Sequence, residues 1–161
     1  MGETPFLMDP DVSDREWPDL RWCGEPPVLA AEAMEDWLAT LRACRPWNDM
    51  WLDDVTGGFR AVLEELLQCG GLLPPGVRAA RLRAVAREHG AFRRRQGYHA
   101  LILAEEISVA EDSIVAALMR TGVAPEIVAT IRDSLAPVMR ATERAAYAGY
   151  VDGGELPGFG I

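Results

Sequence analysis

Arg87-Glu88-His89-Gly90-Ala91-Phe92-Arg93-Arg94-Arg95-Gln96-Gly97-Tyr98 is the stretch on which the fold turns. It holds four of the 16 arginines and one of the two histidines. It also joins the two longest amphipathic patterns in the chain. On its N-terminal side, Leu82, Val85, His89 and Phe92 recur at helical spacing, with Arg83, Arg87 and Arg94 on a different face. Gln96-Gly97 breaks that helix. On the C-terminal side a second helix runs from about Tyr98 to Arg120, with Leu103, Ile107, Ala110, Ile114 and Ala117 along one side. Glu105, Ser108 and Asp112 line the other. Two helices joined by a tight glycine turn lie back to back, so an all-α bundle is expected.

The same period extends outward. Leu29, Ala33, Trp37, Leu41 and Cys44 predict a helix over about 28–44, ended by Arg45-Pro46, since a residue before proline disfavours helical angles. Pro46 then opens a second helix reaching Gln68, through Leu52, Val55, Phe59, Val62 and Leu66, with a kink or a close helix contact at Gly57-Gly58. Gly70-Gly71 and Pro74-Pro75-Gly76 form a loop. A last helix over about 125–148 buries Ile127, Ile131, Leu135, Val138, Thr142 and Ala145, and Pro137 kinks it. No segment alternates with period two, so no strand is expected. The organisation is an extended Pro/Trp arm over 1–27, a helical domain of five or more helices over 28–150, and a glycine-rich tail over 151–161.

Composition narrows the function. The net charge of −9 argues against a nucleic-acid binder, which needs basic surface to neutralise phosphates. Charge is unevenly spread: residues 1–65 carry 15 acids and five arginines, whereas residues 78–95 carry seven arginines and one acid, Glu88. Acidic and basic surfaces of that kind attract within a chain or between copies. The three cysteines, Cys23, Cys44 and Cys69, form no metal or disulfide pattern and fit a reducing, cytoplasmic setting. The N-terminus has no signal-peptide pattern and no apolar run is long enough to span a membrane.

No catalytic constellation emerges. There is no Gly-x-Ser-x-Gly and no phosphate-binding glycine loop. Glu64-Glu65 and Glu105-Glu106 lack the Glu-x-x-His partner of di-iron helices. His89 lies on an apolar stripe, where a core histidine bonded to a carboxylate or carbonyl is the first expectation. A haem or small-molecule pocket with His89, Phe92 and Tyr98 is the alternative, although no resident cofactor is called for. A phosphotransfer histidine would have to face solvent, which His89 does not. The Arg93-Arg94-Arg95 run is expected to pair with Glu105, Glu106, Glu111 or Asp112, within the chain or across subunits, or else to dock an anion. Of the five tryptophans, Trp37, Trp47 and Trp51 are assigned to the core, 37 and 51 best. Trp17 and Trp22 are the partner-binding candidates, with Arg87, Arg93, Arg94, Arg95 and Phe159.

His89, Gly90, Arg93, Gln96, Gly97 and Tyr98, followed by Leu101, Leu103, Glu105 and Glu106, resemble the N-terminal sensory domain of the RsbR/RsbRD co-antagonist proteins of bacterial stress signalling. The resemblance is firm over about 35 residues. It implies a globin-related or bundle-like domain, without haem, that dimerises and passes a signal to an output domain. No room for such an output domain follows residue 150 here, so a stand-alone copy is expected. The expectation is a non-enzymatic sensor or adaptor that works as a homodimer, its seam using Ile107, Ile114 and Leu135. A scaffold subunit recruited through its terminal arms is a further alternative.

Overall fold

The computed structural model describes residues 26–68 and 75–153. Among them every regular element is helical: α1 (Pro26–Arg42), a 3-10 turn (Trp47–Asp49), α2 (Leu52–Thr56), α3 (Phe59–Gln68), α4 (Pro75–Arg95), α5 (Leu101–Arg120) and α6 (Pro125–Asp152). The protein is an all-α helical bundle. Its packing closes a ring: α1 lies against α5 and α3, α3 against α4, α4 against α6, and α6 against α5. No helix among the described residues is long and apolar enough to cross a membrane.

Helical period explains the inner faces. α1 buries Leu29, Ala33, Trp37 and Leu41 as expected, and Trp37 stacks on Phe59 of α3 at 4.4 Å between centroids. Cys44 is exposed, because α1 stops at Arg42 and the Arg42 guanidinium donates to the Met50 carbonyl at 2.5 Å. α5 buries Leu103, Ile107, Ala110, Ile114 and Ala117. In α6, Val128, Leu135, Thr142 and Gly149 recur every seven residues on the inner side. Ile127 is 46% exposed instead of buried, because the inner face begins one residue later, at Val128. Ile131 and Ala145 are half-buried.

The expected single helix over 46–68 is three pieces. Gly57 adopts φ +31 and ψ −135, a conformation that ends α2, and α3 starts afresh at Phe59. The break also corrects the tryptophan assignment. Trp47 is buried and Trp51 is 83% exposed. Met50 and Trp51 have extended backbone, which turns the second indole outward while the first reaches a buried carboxylate.

Ile107, Ile114 and Leu135 are fully occupied inside one chain, so they are not available as a dimer seam. The arm, the loop over 69–74 and the tail from 154, with Trp17, Trp22 and Phe159, lie outside the described residues.

Candidate functional site

Glu106 sits on the inner face of α5, between Leu103 and Ala110, and is completely buried. An ionised carboxylate taken out of water must be met by donors. Three side chains meet this one. Oε1 accepts from Trp47 Nε1 at 2.9 Å and from Arg93 Nε at 2.8 Å, and it forms an ion pair with Arg93 Nη2 at 2.6 Å. Oε2 pairs with His89 Nε2 at 2.6 Å. The backbone carbonyl of Glu106 takes the Trp37 indole N–H at 3.0 Å. One residue thereby ties α5 to α4, α1 and the 3-10 turn across the middle of the ring.

Arg93 is as buried as its partner. Its remaining donors reach the Asp54 carbonyl at 2.6 Å, the Val55 carbonyl at 2.8 Å and Gln96 Oε1 at 2.7 Å. A guanidinium has N–H groups on all three nitrogens, and each nitrogen donates to an oxygen here. The two carbonyls belong to the last turn of α2, where a helix leaves acceptors without amides. A cation there is also favoured by the helix dipole. The early stop at Gly57 and the buried arginine are therefore one feature: the α2 terminus is capped by a side chain from α4.

The other members of the 87–98 stretch have structural tasks too. Gly97, at φ +83, closes α4 with Tyr98 N–H to Arg93 O and Gly97 N–H to Arg94 O, the paired bonds of a Schellman cap. The Tyr98 carbonyl accepts from the Tyr150 hydroxyl at 2.7 Å, which fixes the turn to α6. Gly90 lies against the Ala146 carbonyl, so close that a Cβ there would stand 1.7 Å from the oxygen.

The electrostatic balance at Glu106 has a direction. Burial alone pushes the carboxyl up. Hydrogen bonding and electrostatic attraction from His89, and then from Arg93, outweigh it and hold the group below its ordinary value of 4.5. A carboxyl depressed by folding stabilises the fold in full above its unfolded value, and that contribution is lost as pH falls through the folded value. The urea midpoint of the wild type is thus expected to converge on that of Glu106→Gln as pH drops below 4.5. A gap that stays constant from neutral pH to well below that point would contradict the assignment.

Among the residues named from sequence, His89 is buried at the apolar stripe, with its ring edge on Phe59 at 5.2 Å. Its Nδ1 has no hydrogen-bond partner among the described residues. Phe92 is half-buried, packed where a Cβ on Gly57 would touch it, and Tyr98 is half-buried at the turn. Arg93 needs correction as a partner-binding residue: it pairs with Glu106, one of the acids foreseen for it, but inside the core and not at the surface. Arg87 pairs with Asp152, Arg95 with Glu88, and Arg94 lies over the Tyr150 ring at 5.0 Å. These three remain exposed. Sequence reading missed Glu106 as the hub, although its place three residues after Leu103 and one before Ile107 puts it on the inner stripe.

The surface shows a different feature. Trp51 and Leu52, at the start of α2, and Leu101, at the start of α5, are large apolar side chains left outside. They are 83%, 51% and 67% exposed. A groove of about 270 Å³ is lined by Arg45, Pro46, Tyr98, His99, Leu101, Ile102 and Glu105. Among the described residues no group of three or more potential ligands could hold a metal ion.

Comparison of the chain with protein-family models, with curated proteins and with solved structures gives no match.

Proposed function

We propose that the protein is a non-enzymatic helical module, a sensor or adaptor of bacterial signalling that acts in the cytoplasm through protein–protein contacts. The observation that carries the reading is the contrast between its core and its surface. In the buried Glu106–Arg93–His89 cluster the carboxylate, the guanidinium and His89 Nε2 are engaged inside the fold. The surface exposes Trp51, Leu52 and Leu101, and Leu101 lines a groove. Exposed large aromatics grouped with aliphatics mark contact surfaces, and tryptophan is the commonest interface anchor.

The resemblance to RsbR-type sensory domains supports the signalling part. Of the residues that carry it, Arg93 and Glu106 join α4 to α5, and Gly97 and Tyr98 form the turn between them. In a haem or small-molecule reading built on His89, either Nε2 would have to leave Glu106 or a ligand would have to reach the buried Nδ1.

The test is affinity capture from the native cell extract with the wild type and with Trp51→Ser/Leu101→Ser. Both side chains are exposed, so melting should be unchanged. Loss of an interface anchor weakens binding by about tenfold or more. The expected outcome is a defined partner captured by the wild type and lost with the variant. Equal capture by both proteins refutes the assigned surface.

A further inference from the structure

The contact reading leaves open what fits the exposed surface, and the charge pattern of the chain offers an occupant. The turn at Trp51 is acidic as well as apolar: Asp49, Trp51, Leu52 and Asp53 are all exposed. Arg42 is spent on the carbonyls of Trp47 and Met50, and Arg45 lines the groove without an ion pair to either acid. Neither Asp49 nor Asp53 has an ion-pair partner among the described residues.

The complement lies on α6. Arg140, Arg144, Tyr147 and Val151 are exposed and fall within an arc of about 60° on a helix turning about 100° per residue. Arg140 and Arg144 have no ion-pair partner among the described residues, and Tyr147 and Val151 are 47% and 54% exposed. Asp152, beside Val151, is already paired with Arg87, so its charge does not oppose an incoming carboxylate. Each surface offers two like charges and two apolar side chains, and the signs are opposite. Both are exposed in a single chain, so they do not satisfy each other internally.

We propose that these surfaces meet between copies: the Asp49–Asp53 turn of one chain docks on the Arg140–Val151 stripe of a second. Trp51 lies along the stripe, where arginine favours an aromatic face. The contact joins two different patches, so copies add head to tail and the assembly either closes as a ring or keeps growing. This rests on the contact reading above and names the partner of that surface.

Sedimentation velocity from about 1 µM to about 1 mM, the range in which weak contacts populate, tests it with two double variants. Asp49→Arg/Asp53→Arg and Arg140→Glu/Arg144→Glu each place like charges across the junction. The wild type is expected to gain mass with concentration, more weakly at high salt. Each variant alone should associate at least about tenfold more weakly. Mixing the two should restore association, because the mixture recreates one native junction. A wild type that stays monomeric throughout overturns the proposal, as do variants that associate like the wild type or a mixture that stays monomeric. If Trp51→Ser/Leu101→Ser still loses a captured partner when self-association is absent, only the second-copy assignment falls. If capture is unaffected while self-association follows the charges, the heterologous-partner surface falls instead.

Discussion

Glu106→Ala is expected to lower stability by about 3–5 kcal/mol, the usual cost of removing one partner from a buried ion pair. The substitution deletes a carboxylate on which Trp47, His89 and Arg93 converge, and none of the abandoned donors can turn to water. Arg93 keeps its charge with no exposed surface, and Trp47 Nε1 and His89 Nε2 lose their acceptor. Domains of this size have about 5–15 kcal/mol in all, so the variant approaches the limit of folding. With about 2–4 °C of melting temperature per kcal/mol at this length, the fall is about 6–20 °C. Glu106→Gln keeps an acceptor for Arg93 and Trp47 but removes the charge, and should cost less. Urea titration followed by tryptophan fluorescence measures both, since Trp47 touches the altered group. An alanine variant as stable as the wild type would remove Glu106 from the centre of this fold.

That hub explains what the sequence did and did not disclose. Periodicity alone located the inner stripe of α1 and the aliphatic face of α5, because each depends on residues three and four apart. The hairpin turn was legible from Gly97, a local backbone requirement. The three-piece region between Pro46 and Gln68 was not legible, because the α2 terminus is held by a guanidinium from α4. A pattern read within one segment contains no trace of a cap supplied by another. Trp51, assigned to the core with Trp37 and Trp47, lies outside for the same reason: the apolar pattern was carried through a break whose cause lies elsewhere. Glu106 was grouped with Glu105, Glu111 and Asp112 as a partner for the arginine run, although its spacing alone placed it inside. The position of the stripe was the better guide than the residue type.

The close crossing of α4 and α6 was equally hidden, and it gives the second large effect. Gly90→Ala and Gly149→Ala should each destabilise by about 3 kcal/mol or more, at or beyond the upper end for overpacking. Helix propensity alone predicts the reverse sign, since alanine is favoured over glycine in a helix by about 1 kcal/mol. Sterics decide it. A Cβ at position 90 would lie 1.7 Å from the Ala146 carbonyl oxygen, and one at position 149 would lie 2.0 Å from the Arg87 carbonyl oxygen. Both obstacles are backbone, so no rotamer change relieves them and the helices must separate. Separation also strains the Tyr150–Tyr98 bond and the Arg94–Tyr150 contact further along the crossing. Gly97→Ala is the contrasting case: nothing lies within 4 Å of its Cβ, and only the φ of +83 opposes it. The double variant at 90 and 149 should cost less than the sum of the singles, because helices already parted by one methyl have room for the other. Thermal melts of the four proteins decide the matter. Additive losses, or singles no worse than Gly97→Ala, would mean that the helices do not meet through these two glycines.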